Sequence, residues 1–357
     1  MSRYDVAIVG AGMAGASLAA ALAGEARVLL LEAEESPGYH STGRSAAFWS
    51  ETYGGPLIQP LTSGSAAGLA PFLGPRGCIH IADAGGEGAL AALAEEFEGS
   101  PVELRPLGRD ELDARLTGLR PGWARGLEEP TCADIDVAAL HAFYLREAKA
   151  ELAVNARLLG AERSGGRWTI TTTAGAYDAE ILVNAAGAWA DPVSRLAGEV
   201  PLGIQPYRRT MVQLRVDPPA AAALPLIVDA AGGFYFKPEA GGRIWLSPHD
   251  ETPSDPCDCA PEELDVAIAI DRFEKAVDWR VEAVERKWAG LRSFASDRLP
   301  VYGFSDSGRG FFWCAGQGGF GIQTAPAAAA LAAALLLGRP AGAIDPAPYA
   351  ATRFGSV

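Results

Sequence analysis

Histidine and cysteine are scarce in this chain: 4 His and 5 Cys among 357 residues. His40, His80, His141 and His249 are scattered and make none of the spacings that build a metal centre. Cys78, Cys132, Cys257, Cys259 and Cys314 are odd in number and lack a framework spacing, which argues against a disulfide-built scaffold and for free thiols. Cys257-Asp258-Cys259 has no second pair beside it, so a plain loop is expected there and no metal. Positive charge is also short, with 30 Lys and Arg against 44 Asp and Glu, a formal net charge of -14. That balance speaks against nucleic acid or an anionic membrane surface as a partner. It does not exclude a small anionic ligand, because a site can be locally positive. Long apolar runs are missing too. The longest, Ala325 to Leu337, has about 13 residues, where a membrane span needs roughly 20, so no transmembrane segment is expected. The first strand begins near Tyr4, so no leader peptide is expected and a cytoplasmic location follows. Repeats and low-complexity linkers are absent, and the length suffices for two domains.

What is present is concentrated at the N-terminus. Tyr4 to Val9 is an apolar run of buried-strand character. It enters Gly10-Ala11-Gly12-Met13-Ala14-Gly15, then an alanine-rich helix over Ala16 to Leu22. Arg27 to Leu31 is a second apolar strand, with Glu32 at its end, about 20 residues past the first glycine. Strand, glycine turn, helix, strand and acid stand in the order of a dinucleotide fingerprint. Gly10 makes the turn, Gly12 lets backbone approach a pyrophosphate, and Gly15 lets the helix pack on the strand. The helix N-terminus offers free N–H groups and partial positive charge to phosphates. Glu32 is placed to accept from an adenosine ribose.

The rest of the chain does not divide cleanly. Trp168 to Thr173 and Ala174 to Asp178 alternate with strand period and read as a hairpin. Ala179 to Ala186 follows as a buried strand. Gly310 to Ala315 is another, leading into the glycine-rich Gly316 to Gly321 and the C-terminal alanine helix. One nucleotide domain is therefore expected to be assembled from separated segments. The intervening stretches, Pro201 to Val216, Pro225 to Phe236 and a hairpin over Phe234 to Ser247 turning at Ala240-Gly241-Gly242, have antiparallel character. The expected fold is α/β: a Rossmann-like domain over 1–72, 133–205 and 289–357, and a substrate domain on a largely antiparallel sheet over 73–132 and 206–288.

Several motifs carry a more specific likeness. They are Pro37 through Ala47 (PGYHSTGRSAA), Ala133-Asp134-Ile135-Asp136, Leu182 through Trp189 (LVNAAGAW), Phe234 through Pro238 (FYFKP), Trp288 through Phe294 (WAGLRSF) and Gln317 through Thr324 (QGGFGIQT). With these the chain resembles the D-amino acid oxidase superfamily of flavoproteins, and within it the D-arginine dehydrogenase group. The resemblance implies FAD. Its contacts would come from Gly10, Gly12, Met13, Ala14, Gly15, Glu32 and Ala33. Further contacts would come from Ser41, Thr42, Gly43, Arg44, Ser45, Ala46 and Ala47, from Ala186, Gly187 and Trp189, and from Gly318, Gly319, Phe320, Gly321, Ile322 and Gln323. The C-terminal glycines suit a ring far from the adenine, and the helix after Gln323 would aim its positive end at the flavin edge where charge collects on reduction. The segment around Ser41 to Ala47 lacks the His or Cys of a covalent flavin link, so non-covalent FAD is expected; a link elsewhere stays open.

The resemblance also places a carboxylate clamp at Tyr53, Arg209, Tyr235 and Arg292, suited to an amino acid because an arginine fork binds a carboxylate in two bonds. Arg208 is the alternative to Arg209, but strand alternation lets only one face the site. Carbonyls near Gly319 could accept from the substrate amine. Ser50 matches a hydroxyl position beside the ring. No catalytic base is assigned. Where the arginine-preferring relatives carry acids, this chain has Cys78 and Gly232, and Phe48 stands in place of a histidine. A cationic side chain would lose its partners there, so neutral or apolar D-amino acids are the expected substrates. His80 and Glu51 could restore polarity if they point inward. Trp245 stands near where oxidases of the superfamily place a lysine, with Lys237 on the preceding strand. A dehydrogenase passing electrons to a quinone or similar acceptor is therefore expected. An oxidase of glycine, sarcosine or another small or secondary amine is the alternative. A 2-hydroxy acid dehydrogenase and a non-catalytic flavin-binding partner rank lower.

Overall fold

A computed structural model describes residues 3–355. Its N-terminal strand, Arg3–Val9, pairs in parallel on one side with Val28–Leu31 and on the other with Gly175–Asn184. Phe311–Ala315 extends that sheet in parallel from the far side of Gly175–Asn184. Val28–Leu31 and Phe311–Ala315 are buried throughout, as parallel strands sandwiched between layers must be. The helix Met13–Ala21 begins three residues earlier than its alanine run suggested, directly after Gly12. The expected hairpin and the following buried strand are one continuous element, because Gly175–Asn184 pairs with Arg167–Thr172 at its start and with Arg3–Val9 further on. The eight-stranded sheet thus collects segments from the beginning, middle and end of the chain. The C-terminal helix Ala325–Leu336 packs against Met13–Ala21, and both are rich enough in alanine to approach closely.

A second sheet has nine strands and is mainly antiparallel. Its long pair is Gln205–Asp217 with Arg280–Phe294. Tyr235–Glu239 and Arg243–Ser247 form the hairpin expected from the sequence, turned by Gly241 and Gly242, both at positive φ (75° and 74°). Cys78–Ala82 joins this sheet between Leu226–Asp229 and Arg125–Glu129. One face of the sheet packs on the helix Glu263–Ala276 around Phe234, Phe236, Phe273 and Trp279. The other face turns toward the glycine-rich segments of the first sheet. Among the described residues, no helix is long and apolar enough to cross a membrane.

Candidate active site

A cavity of about 370 Å³ runs from the turn after the first strand to the glycine run at Gln317–Gly321. At its first end, close packing demands the glycines. A Cβ on Gly10 would collide with the Ala185 carbonyl oxygen, and one on Gly15 with the Gly10 carbonyl oxygen. Three side chains brace this turn. Glu32 accepts from the Ala11 amide at 3.0 Å, Thr42 Oγ1 accepts from the Met13 amide at 3.0 Å, and His141 Nε2 lies 2.8 Å from the Ala11 carbonyl oxygen. That last contact requires the proton on Nε2 of a neutral His141, and burial does lower its basicity. Gly12, Met13 and Ala14 border the cavity at the start of the helix, where an anion is favoured.

Along the cavity lie Glu32, Ala33, Ser41, Thr42, Arg44, Ser45, Ala46, Ala186, Gly187 and Trp189, then Arg209, Tyr235, Arg292, Gly318, Gly319, Gly321 and Ile322. These expected site residues are brought together. Gly15 is packed beneath the turn, and Gly43 abuts the Gly38 carbonyl. Ala47 and Phe320 pack in adjoining apolar clusters. Gln323 is buried as a tie, donating to the Tyr53 carbonyl and Thr62 Oγ1 while accepting from the Ser50 amide. Arg44 lies along the wall but is already engaged. It ion-pairs with Asp258 and donates to the Cys259 carbonyl oxygen at 3.0 Å. The Cys-Asp-Cys segment is thus a loop whose acid holds a cavity-wall arginine.

Arg209 and Arg292 face the same side of the second sheet. Arg209 stands opposite Gly290 and Arg292 opposite Tyr207 on antiparallel neighbours, so the two arginines are diagonal to each other. Arg208 points to the opposite face, toward Glu262 and Asp265. Arg209 is 4% exposed, donates to the Asp250 carbonyl at 2.7 Å and pairs with Glu251 at 3.2 Å. Its Nη1 is buried without a hydrogen-bond partner. Burial first, then neighbouring Arg292, lowers its basicity. Arg292 makes no ion pair within 4 Å among the described residues, and its guanidinium carbon lies 5.8 Å from the Tyr53 ring centre. A Cβ on Gly319 would overlap the Tyr53 hydroxyl and lie 3.2 Å from Arg292 Cζ. Glycine is therefore what allows these two side chains to meet over the backbone.

Phe48 lies between the two tyrosines, with ring centres 5.6 Å from Tyr53 and 6.1 Å from Tyr235. Phe48 packs with Cys78, Met211, Tyr235, Trp245 and Trp288 in one apolar cluster. Glu51 turns away from it, accepting from Ser63 and Thr131 hydroxyls. His80 Nε2 is 3.7 Å from Cys78 Sγ and 3.4 Å from Thr52 Oγ1, and burial pulls its imidazole down to about 4. Gly232 holds His249 Nδ1 through its carbonyl at 3.2 Å. His249 has a left-handed backbone (φ 59°) and stands edge-on to Tyr235, with ring centres 5.6 Å apart. Burial, reinforced by Arg209 and Arg292, pulls it down to about 3. Lys237 pairs with Asp134 at 2.7 Å, and its Nζ lies 5.3 Å from the Trp245 ring centre. Sequence reasoning missed His249 and also Glu129, a fully buried carboxylate behind Ser50.

A family description, FAD dependent oxidoreductase (DAO), matches residues 5–335. The chain belongs to this family. Glycine oxidase of Geobacillus kaustophilus (strain HTA426) is 28% identical over 377 residues, covering 98% of this chain and 97% of its own. The crystal structure of glycine oxidase from Geobacillus kaustophilus superposes with a TM-score of 0.86 at 25% identity, over 99% of both chains. That of L-proline dehydrogenase from P. horikoshii gives 0.86 at 20% identity over 99% of this chain and 98% of its own, a likeness of fold. The protein is an FAD-dependent oxidoreductase. The cavity fits that cofactor: glycines are required at both ends, and a helix N-terminus borders the end braced by Glu32.

Proposed function

We propose that the protein oxidises neutral α-amino acids, D-amino acids above all, at the Cα–N bond, giving an imino acid that hydrolyses to a 2-oxo acid and ammonia. The observation that carries this reading is Arg292, a cavity arginine with no ion pair among the described residues, set beside the orphaned Nη1 of Arg209. Two cationic groups so arranged suit a carboxylate, and a planar fork fixes its orientation as well as its charge. Tyr53 and Tyr235 flank the fork and limit where the rest of the substrate can lie. FAD, when bound, would supply the acceptor for the hydride that leaves Cα with both electrons, while the nitrogen gives up a proton. Cysteine, methionine and aromatic side chains around Phe48 favour an apolar substituent. Glu51 and Glu129 spend their oxygens on protein donors, which disfavours a guanidinium side chain.

Oxidation of glycine or another small or secondary amine, with release of hydrogen peroxide, is the second reading. Full-length similarity to glycine oxidase favours it. The choice of a quinone over oxygen rests on Lys237, whose charge is tied to Asp134 beneath Trp245. One experiment separates these readings: anaerobic flavin reduction by D-phenylalanine, D-methionine, D-arginine, glycine and sarcosine, followed by a peroxide assay in air. Faster reduction by D-arginine than by D-methionine refutes the neutral pocket. Reduction confined to glycine and sarcosine, with stoichiometric peroxide, transfers the assignment to the second reading.

A further inference from the structure

Met211 is one of only 3 methionines in the chain, and it lines the cavity together with Arg209, Tyr235 and Arg292. It stands two residues beyond Arg209 on the strand Gln205–Asp217, so the two side chains share a face of the sheet. Tyr235 approaches it from across an intervening strand. Ser247 is directly opposite Tyr235, and Val212 is opposite Leu246, so one further step of that register brings Met211 alongside Ser247. The small side chain in the middle of this row leaves room for the tyrosine to cross. Its hydroxyl donates to Met211 Sδ at 3.1 Å, in a buried setting on the cavity wall.

That pair is unequal. A phenolic O–H is a full donor, whereas a thioether sulfur is a weak acceptor. The hydroxyl therefore has a partner, yet it is easily redirected. Tyr235 also acts electrostatically on both Arg209 and Arg292, which places it beside the two cations of the clamp. A carboxylate drawn to those cations offers a charged oxygen, and hydrogen bonds to ionised acceptors are roughly twice as strong as neutral ones. We infer that Met211 is a positioning residue for the clamp: its sulfur holds the Tyr235 hydroxyl when no substrate is present and yields it to the substrate carboxylate. The inference rests on the proposed carboxylate clamp and adds the means by which its tyrosine donor is kept available.

Two limits show why sulfur suits this place. An oxygen acceptor would hold the hydroxyl proton in direct competition with the substrate. An aliphatic side chain would leave the buried hydroxyl without a partner, which is unfavourable until a carboxylate arrives. Sulfur lies between them. It satisfies the donor at rest and costs the substrate little to displace.

Acetate is the probe, since it carries a carboxylate and no amine. Its dissociation constant is read from perturbation of the flavin spectrum of the FAD-loaded protein, in wild type, Met211→Leu, Tyr235→Phe and the double variant. Leucine keeps the apolar bulk of methionine and removes the acceptor. Met211→Leu should bind acetate about two- to fivefold more tightly, because no bond to sulfur is given up. Tyr235→Phe should bind it about tenfold or more weakly. On the Tyr235→Phe background, Met211→Leu should change affinity by less than about 1.5-fold, because sulfur then has no hydroxyl to hold. A merely structural methionine would shift affinity equally on both backgrounds, and that result overturns the inference. Weaker or unchanged acetate binding in Met211→Leu alone also overturns it. If Tyr235→Phe binds acetate as well as wild type does, the hydroxyl never leaves the sulfur; the inference falls and the arginine clamp stands. If acetate leaves the wild-type spectrum unperturbed, the carboxylate reading itself fails and takes the inference with it. Should Met211→Leu not retain FAD, Met211→Ile, β-branched and suited to a strand, provides the same cycle with the same expected signs.

Discussion

The two arginines of the candidate clamp differ in what each would leave behind, and this allows binding to be separated from stability. Arg292 makes no ion pair within 4 Å among the described residues, so Arg292→Ala breaks no hydrogen-bonded acid pair, and Glu251 and Asp250, which act on it from further away, keep Arg209. The substitution would remove one charge-assisted contact to a carboxylate, worth ~1.5–3 kcal/mol. At ~1.4 kcal/mol per tenfold, that is a loss of about 10- to 150-fold in carboxylate affinity. Flavin reduction should suffer at least as much, because orientation is lost with binding. Arg209→Ala removes a guanidinium only 4% exposed and strands Asp250 and Glu251. Breaking a buried pair from one side costs about 3–5 kcal/mol. Glu251 keeps Arg298 as a partner, at 2.9 Å, so the lower figure applies, or a fall of roughly 4 °C in melting temperature for a chain of 357 residues. The assays are acetate titration of the flavin spectrum and thermal melting of the FAD-loaded protein. Arg292→Ala should lose acetate affinity at nearly unchanged melting temperature, and Arg209→Ala should lose stability. Acetate binding that survives Arg292→Ala, or a melting loss as large as that of Arg209→Ala, refutes the division of roles.

Gly10→Ala should yield protein without bound flavin, since the new methyl would meet the Ala185 carbonyl oxygen; a yellow, fully loaded variant would show that the turn relaxes freely. In wild type, acid or heat precipitation should leave the flavin in the supernatant, and flavin retained in the pellet would reveal a covalent link. The imidazole of His80 is pulled from an ordinary 6.5 to about 4, so on acidification the unfolded chain takes up that proton first. Stability from this group is complete above pH 6.5 and is lost as pH falls from there to about 4; His80→Phe should flatten that part of the melting curve, and parallel curves for the two proteins would contradict it.

The sequence made one half of this site visible and concealed the other, for reasons that can be stated residue by residue. The turn at Gly10, Gly12 and Gly15 is local as a pattern, one strand, one turn and one helix, although the carbonyl that excludes a side chain at Gly10 belongs to distant Ala185. Strand alternation lets only one of Arg208 and Arg209 face the site, and the family resemblance points to Arg209. Arg44 was expected among the FAD contacts, yet its ion pair is with Asp258, 214 residues away, which no local pattern announces. The Cys-Asp-Cys loop drew attention through its thiols, whereas its acid makes the contact. His249 offered no signal at all, because its place depends on a left-handed residue and on the carbonyl of Gly232 in another turn.

Glu128-Glu129 shows why such residues resist prediction. Read along the chain, the pair looks like a solvated acidic spot. In the sheet, the two acids go opposite ways. Glu128 finds Arg115 at 3.3 Å near the surface, and Glu129 is sealed opposite Cys78. A buried carboxylate is tolerable only where donors are already assembled, and here they come from Ser50, Glu51 and Thr52, nearly 80 residues earlier. That segment in turn is held by Gln323, which ties the Ser50 amide to the C-terminal glycine run. The acid, its donors and their anchor thus belong to three distant stretches. Each is polar or glycine-rich for reasons that alone suggest a loop. Only the register of Arg125–Glu129 against Cys78–Ala82 turns them into one network. A substitution in any of the three should therefore strand polar groups in the other two, although none of the three lies in the arginine clamp.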